Sequence, residues 1–186
     1  MLIVEGSETR LQGMARRFFH RLVGWITKEY RLSRFAYLRH KAEKGEGMAQ
    51  YLLGARCEAG NGTFQSLVEA VKWYQKAAFQ GVVQAQLTLG LKYLGGQGIS
   101  QSDSEAALWL RKAAEQGEAE AQYQLANLCR EGKGTTRDLL QAGKWYRKAA
   151  TQGHAAAKIS LKDLTSDSLE TLAAQPPHSH ERELAA

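Results

Sequence analysis

Between residues 45 and 164, apolar and small residues return at helical spacing, and the whole pattern returns every 36 residues. Three units align without a gap: GEGMAQYLLGARCEAGNGTFQSLVEAVKWYQKAAFQ (45–80), GVVQAQLTLGLKYLGGQGISQSDSEAALWLRKAAEQ (81–116) and GEAEAQYQLANLCREGKGTTRDLLQAGKWYRKAATQ (117–152). A fourth copy opens at Gly153 with GHAAAKISLKDL and stops after one helix. Within a unit, Ala85, Leu89, Gly90 and Tyr93 mark one helical stripe, and Ala106, Trp109, Leu110, Ala113 and Ala114 mark a second. Each unit therefore predicts two helices.

The boundaries recur as faithfully as the stripes. Paired glycines (Gly60 and Gly62, Gly96 and Gly98, Gly132 and Gly134) end the first helix and turn the chain. Ser66, Ser102 and Asp138 then stand three residues before Glu69, Glu105 and Gln141, a capping box predicted for every second helix. KAAFQG, KAAEQG and KAATQG close the units. Small residues let the next helix approach, a lysine suits the C-terminal dipole, and Gly81, Gly117 and Gly153 reverse the chain. One such helix pair cannot bury its apolar face alone, so the units must stack.

These residues, AQxxLGxxY…GxG…A…W…KAAxQG, resemble the Sel1-like repeat, a relative of the tetratricopeptide repeat. The resemblance covers 45–153 in full and extends to about 164. It implies an all-α fold, a right-handed α-solenoid of stacked antiparallel helix pairs, in a family whose members usually act as adaptors or scaffolds. The tyrosine column departs from the pattern, reading Cys57, Tyr93, Cys129, and Leu67 and Leu139 stand where Asp103 supplies the acidic helix start. Some cysteine-rich relatives staple each helix pair with a disulfide; this chain lacks the paired cysteines.

Charge adds an asymmetry. The net +6 resides in residues 1–44, with ten Lys or Arg against four Asp or Glu, while the fifteen of each sign that remain cancel. That segment carries a stripe of Leu11, Met14, Ala15, Phe18, Leu22, Trp25, Ile26 and Tyr30, with Arg10, Arg16, Arg17, Arg21 and Lys28 largely off it. Residues 31–44 read as a degenerate second helix, with Tyr37 on the tryptophan column. Upstream the register breaks, because Arg17 falls where Leu53 predicts an apolar residue. Residues 1–44 are thus expected to be a basic amphipathic cap; contact with an anionic membrane is the alternative. No apolar run resembles a secretory signal or a membrane span, so a cytoplasmic location is expected, with a peripheral membrane one as the alternative. Residues 165–186, polar and holding both prolines, are expected to be a disordered tail.

Candidate chemistry is sparse. Cys57 and Cys129, two repeats apart, are too distant to bridge and are expected to be buried inert thiols. No nucleophile–base triad, carboxylate pair or phosphate-binding loop is visible, and no cofactor or metal is expected. Trp73, Trp109 and Trp145, identical in every unit on an Ala-rich face, read as core packing. Recognition belongs where units differ: Leu52, Thr88 and Gln124, and Ala55, Leu91 and Asn127. The repeated amides Gln50, Gln86 and Gln122 either join that groove or bond between repeats. The expected function is non-catalytic protein or peptide binding, without nucleic acid. The alternatives are a peripheral membrane adaptor held by the N-terminal helix and a hydrolase-like enzyme whose site the sequence does not display.

Overall fold

The computed structural model of the chain describes residues 35–61 and 64–173. The expected cap over residues 1–30, Gly62 of the first glycine pair and the final residues 174–186 lie outside that range. Every regular element among the described residues is a helix: α1 (35–43), α2 (Gly47–Ala59), α3 (Leu67–Phe79), α4 (Val83–Gly95), α5 (Asp103–Glu115), α6 (Ala119–Glu131), α7 (Leu139–Thr151) and α8 (Ala155–Ala173). Pairs α2–α3, α4–α5 and α6–α7 form the units, and α3–α4, α5–α6 and α7–α8 contacts join each unit to the next, a short solenoid.

The helix ends explain why each unit is two helices. Gly60, Gly96 and Gly132 adopt left-handed φ of 69°, 63° and 71° and donate their N–H groups back to the carbonyls of Arg56, Lys92 and Leu128. Ser66, Ser102 and Asp138 accept the amides of Glu69, Glu105 and Gln141 at 3.2, 3.3 and 2.9 Å. The return half of the expected capping box is not made. The N–H of Ser66 donates instead to the Cys57 carbonyl (2.9 Å), that of Ser102 to Tyr93 (3.0 Å) and that of Asp138 to Cys129 (2.8 Å). Each acceptor lies in the last turn of the preceding helix, where carbonyls lack helical partners. The orphan donor of one helix and an orphan acceptor of the other satisfy each other and close the hairpin.

Two columns make the core. Tyr74, Leu110 and Tyr146 follow the three tryptophans and are fully buried. They press on Gly54, Gly90 and Ala126, where space is short. A Cβ at Gly54 would lie 2.8 Å from the Tyr74 ring, and one at Gly90 2.7 Å from Leu110 Cγ. The tryptophan column is only partly the core expected of it. Trp109 is 3% exposed, whereas Trp73 and Trp145 are half-buried. Phe79 sets its ring edge-on to Trp109 at 5.0 Å, and the matching positions elsewhere are Glu43, Glu115 and Thr151. In all three units the lysine of the Lys-Ala-Ala corner lies over its own indole, at 4.1 to 4.2 Å from the centroid.

The two ends differ from the middle. α1 acts as the second helix of a leading unit: Ala42 is buried and its carbonyl accepts from Gln50, as Ala78 and Ala114 accept from Gln86 and Gln122. α8 continues through Ala173, so residues 165–173 are helix rather than the tail expected. Its Lys158 stands on the glutamine column and Lys162 on the column of Gly54, Gly90 and Ala126.

Candidate interaction surface

The repeated glutamines are interior. Gln50, Gln86 and Gln122 are buried, and each Nε2 donates to a carbonyl of the preceding second helix: Ala42 at 3.0 Å, Ala78 at 3.2 Å and Ala114 at 3.1 Å. Each Oε1 accepts from the glutamine 30 residues on, Gln80 (2.7 Å), Gln116 (2.7 Å) and Gln152 (2.9 Å). A buried amide so engaged cannot meet a partner, which removes these three residues from the binding row and assigns them to repeat stacking. Gln80, Gln116 and Gln152 recur as plainly in the sequence; two glutamine columns at one fixed offset were the signal for the bond.

The varied positions lie further out. Leu52 and Leu91 are exposed (45% and 37%), and Ala55, Thr88, Gln124 and Asn127 are half-buried. Met48, Gln84 and Glu120 share the same helix face one turn earlier. The row grades from Met48, Leu52 and Ala55 in α2, through Gln84, Thr88 and Leu91 in α4, to Glu120, Gln124 and Asn127 in α6. The polar end is already internally bonded. Asn127 Oδ1 accepts from the Tyr146 hydroxyl at 2.6 Å, and Gln124 donates to Glu120 at 2.7 Å. Glu120 also meets His154 Nε2 at 2.9 Å, and the His154 ring stacks on Tyr123. Burial pushes the Glu120 carboxyl up, but the Gln124 amide and His154 outweigh it and hold the group below its ordinary value.

A second polar cluster joins two of the units. Lys92, buried, reaches from α4 to Glu58 of α2 and to Gln97, while the Tyr74 hydroxyl donates to the same Glu58 carboxylate at 2.9 Å. Burial raises the Glu58 pKa, yet the two donors and the Lys92 charge carry it below the usual carboxylate range. Both cysteines are buried free thiols whose pKa burial pushes up, so neither has the character of a nucleophile. No cluster of His, Cys, Asp or Glu among the described residues has metal-ligand geometry. A recess of about 400 Å³ beside Trp145 is lined by Gln141, Lys144, Arg147, Lys148 and Thr151, cationic and without a carboxylate among them. No described helix is long and apolar enough to cross a membrane.

Comparison with known proteins follows this geometry. The Sel1 repeat model matches residues 47–82, 83–118 and 119–154, the same period two residues out of phase with the units above. Among solved structures, c5321, a protective antigen present in uropathogenic Escherichia coli strains and displaying an SLR fold, is 40% identical over 69% of this chain with a TM-score of 0.66. This chain spans 28% of that protein's length. A Sel1 repeat protein from Oxalobacter formigenes is 36% identical over 69% of this chain and 96% of its own, with a TM-score of 0.65. Cysteine rich protein B of Helicobacter pylori is 21% identical, covers 68% of this chain and 91% of its own and has a TM-score of 0.51, a likeness of fold. No curated protein matches.

Proposed function

This chain belongs to the Sel1 repeat family, and on that premise we propose that it is a non-catalytic adaptor that binds a protein partner along the graded row of its first helices. One observation carries the reading. The repeated alanine, leucine and glutamine columns of the first helices are buried, whereas the row that varies reaches solvent, with Met48, Leu52 and Leu91 exposed. Identity where helices stack and difference where solvent begins is what a recognition surface on a repeat scaffold requires. The partner segment that suits the row places apolar side chains over Met48, Leu52 and Leu91 and polar ones toward Gln124. The amides Gln50, Gln86 and Gln122 support this surface from beneath.

The test has two stages. A tagged chain expressed in its own cell identifies a partner, and the affinity of that purified partner is then measured for three proteins. These are the parent, a Leu52→Glu/Leu91→Glu variant, and a Val68→Glu/Leu140→Glu variant altered on exposed second-helix positions. All three are expected to melt alike. The first variant should lose at least about tenfold in affinity, the ~1.4 kcal/mol expected of one disrupted contact region, and the second should bind as the parent does. Equal binding by the parent and the first variant excludes the row.

A further inference from the structure

We propose that the outer face of α7 around Trp145 binds an acidic peptide segment through one aromatic side chain, at a surface separate from the first-helix row. The three units differ there in charge. Carboxylates accompany the indoles of the first two: Glu69 pairs with Lys72 at 3.5 Å in α3, and α5 carries Asp103, Glu105 and Glu115. α7 carries none. Gln141 stands on the column of Glu69 and Glu105, and the charges of the helix are Lys144, Arg147 and Lys148. All three are exposed, and none of them forms an ion pair among the described residues. Like charge gathered on one helix, where the charges of residues 45–186 otherwise cancel, attracts an anionic partner.

The indole supplies the other half of the site. In the middle unit Phe79 sets its ring edge-on to Trp109 while Lys112 lies over the same indole, and Trp109 is buried. One unit on, Lys148 lies over Trp145 at the same 4.2 Å, but Glu115 holds the position of Phe79 and Trp145 is half-buried. The recess of about 400 Å³ opens beside this indole, a volume within the ~300–1,000 Å³ of ligand sites. A second recess of about 220 Å³ shares Gln141 and Trp145 with it and brings in Arg111 of α5. The carboxylate there, Asp138, is engaged as the cap of α7. An aromatic side chain in the larger recess repeats between molecules the contact that Phe79 makes within one, and flanking carboxylates meet Lys144, Arg147 and Arg111. A nucleobase stacks on a ring face, over which Lys148 already lies; an edge-on ring leaves the lysine in place, as at Trp109. A recess around one indole also takes a single side chain, whereas a bilayer calls for an apolar face along the helix.

The test measures fluorescence anisotropy of a short labelled peptide of Asp and Glu with one central phenylalanine, titrated with the full chain. The parent should bind it, and bind the same peptide with alanine at the centre at least about tenfold more weakly. Lys144→Glu/Arg147→Glu should cost at least about tenfold as well, and binding to the parent should weaken as salt is added. Glu115→Phe places a ring where Phe79 stands one unit earlier, so it should fill the site, melt no lower than the parent and lose the peptide. Leu52→Glu/Leu91→Glu should bind the peptide as the parent does, which keeps this site distinct from the first-helix row. The altered positions in α7 and at Glu115 are exposed, and either variant tests the site without the other. No binding by the parent, equal binding of the alanine peptide, or affinity unchanged in both the charge-reversed variant and Glu115→Phe overturns the proposal. So does tighter binding of single-stranded RNA or anionic vesicles that is lost in Lys144→Glu/Arg147→Glu.

Discussion

Gln116 donates its side-chain amide to Gln86 Oε1 at 2.7 Å, and Gln86 passes its own amide to the Ala78 carbonyl at 3.2 Å. The two bonds tie α5 to α4 and α4 to α3 through one buried side chain. Gln86→Ala should cost about 1–3 kcal/mol, the penalty for leaving a buried acceptor and donor without partners. Gln116→Ala, whose side chain sits at the exposed edge, should cost less. A double-mutant cycle by urea denaturation measures the coupling between the two; additive losses would show that the shared bond contributes nothing.

The three tryptophans should differ. Trp109→Ala removes the fully buried ring and should cost about 3–5 kcal/mol; the half-buried Trp73 and Trp145 should each cost less. Phe79 is 74% exposed but covers Trp109. Phe79→Ala should therefore red-shift indole emission while lowering stability by no more than about 1.5 kcal/mol. An unshifted spectrum would mean that Trp109 owes its burial to other neighbours.

At position 90 helix propensity and packing oppose each other. Gly→Ala inside a helix ordinarily gains about 1 kcal/mol. Here the new Cβ would come within 2.7 Å of Leu110 Cγ and 3.3 Å of its backbone nitrogen. Overpacking of that kind costs about 1–3 kcal/mol, so Gly90→Ala should be net destabilising. Gly95→Ala, whose Cβ meets only the flexible Gln97 side chain, should be neutral or stabilising in the same melts.

Glu58 sets an acid limit. Its carboxyl is held below the ordinary value in the folded chain by Lys92 and Tyr74 despite the opposing effect of burial. A carboxylate depressed on folding contributes stability above its unfolded pKa and loses it as pH falls through the folded one. Stability should therefore decline from about pH 4.5 downward. Glu58→Gln should flatten that decline while lowering stability at neutral pH. Parallel acid titrations of the two proteins would show no link to Glu58.

The period, both helices of each unit, the glycine turns and the buried cysteines were legible because each recurs in register, and recurrence turns weak local signals into strong ones. Which apolar column forms the centre was not legible. Trp109 and Leu110 are adjacent, both apolar, and about 100° apart on the helix, and the sequence alone does not say which points inward. The glutamines were ambiguous for a related reason: a polar side chain repeated in every unit fits a groove or a buried bond, and only the Ala78 and Gln116 contacts decide it. The end of α8 was misjudged because Ser166, Asp167 and Ser168 read as a polar tail.

Gly98 and Gly134 sit directly on the backbone of the unit before them: a Cβ at Gly98 would fall 2.5 Å from the Leu67 carbonyl oxygen, and one at Gly134 would overlap the Asp103 carbonyl. The turn inside the second unit and that inside the third are thus bearing surfaces, unable to lengthen without lifting off the unit before. The corners at Gly81 and Gly117 differ, since a Cβ there meets nothing within 4 Å. Change of length in this protein is accordingly quantised. A whole 36-residue unit spliced in at Gly117 brings its own turn to rest on the one below and extends the scaffold, whereas one or two residues inserted beside Gly98 separate the units on either side. Descent by duplication of whole units is the route such a geometry leaves open.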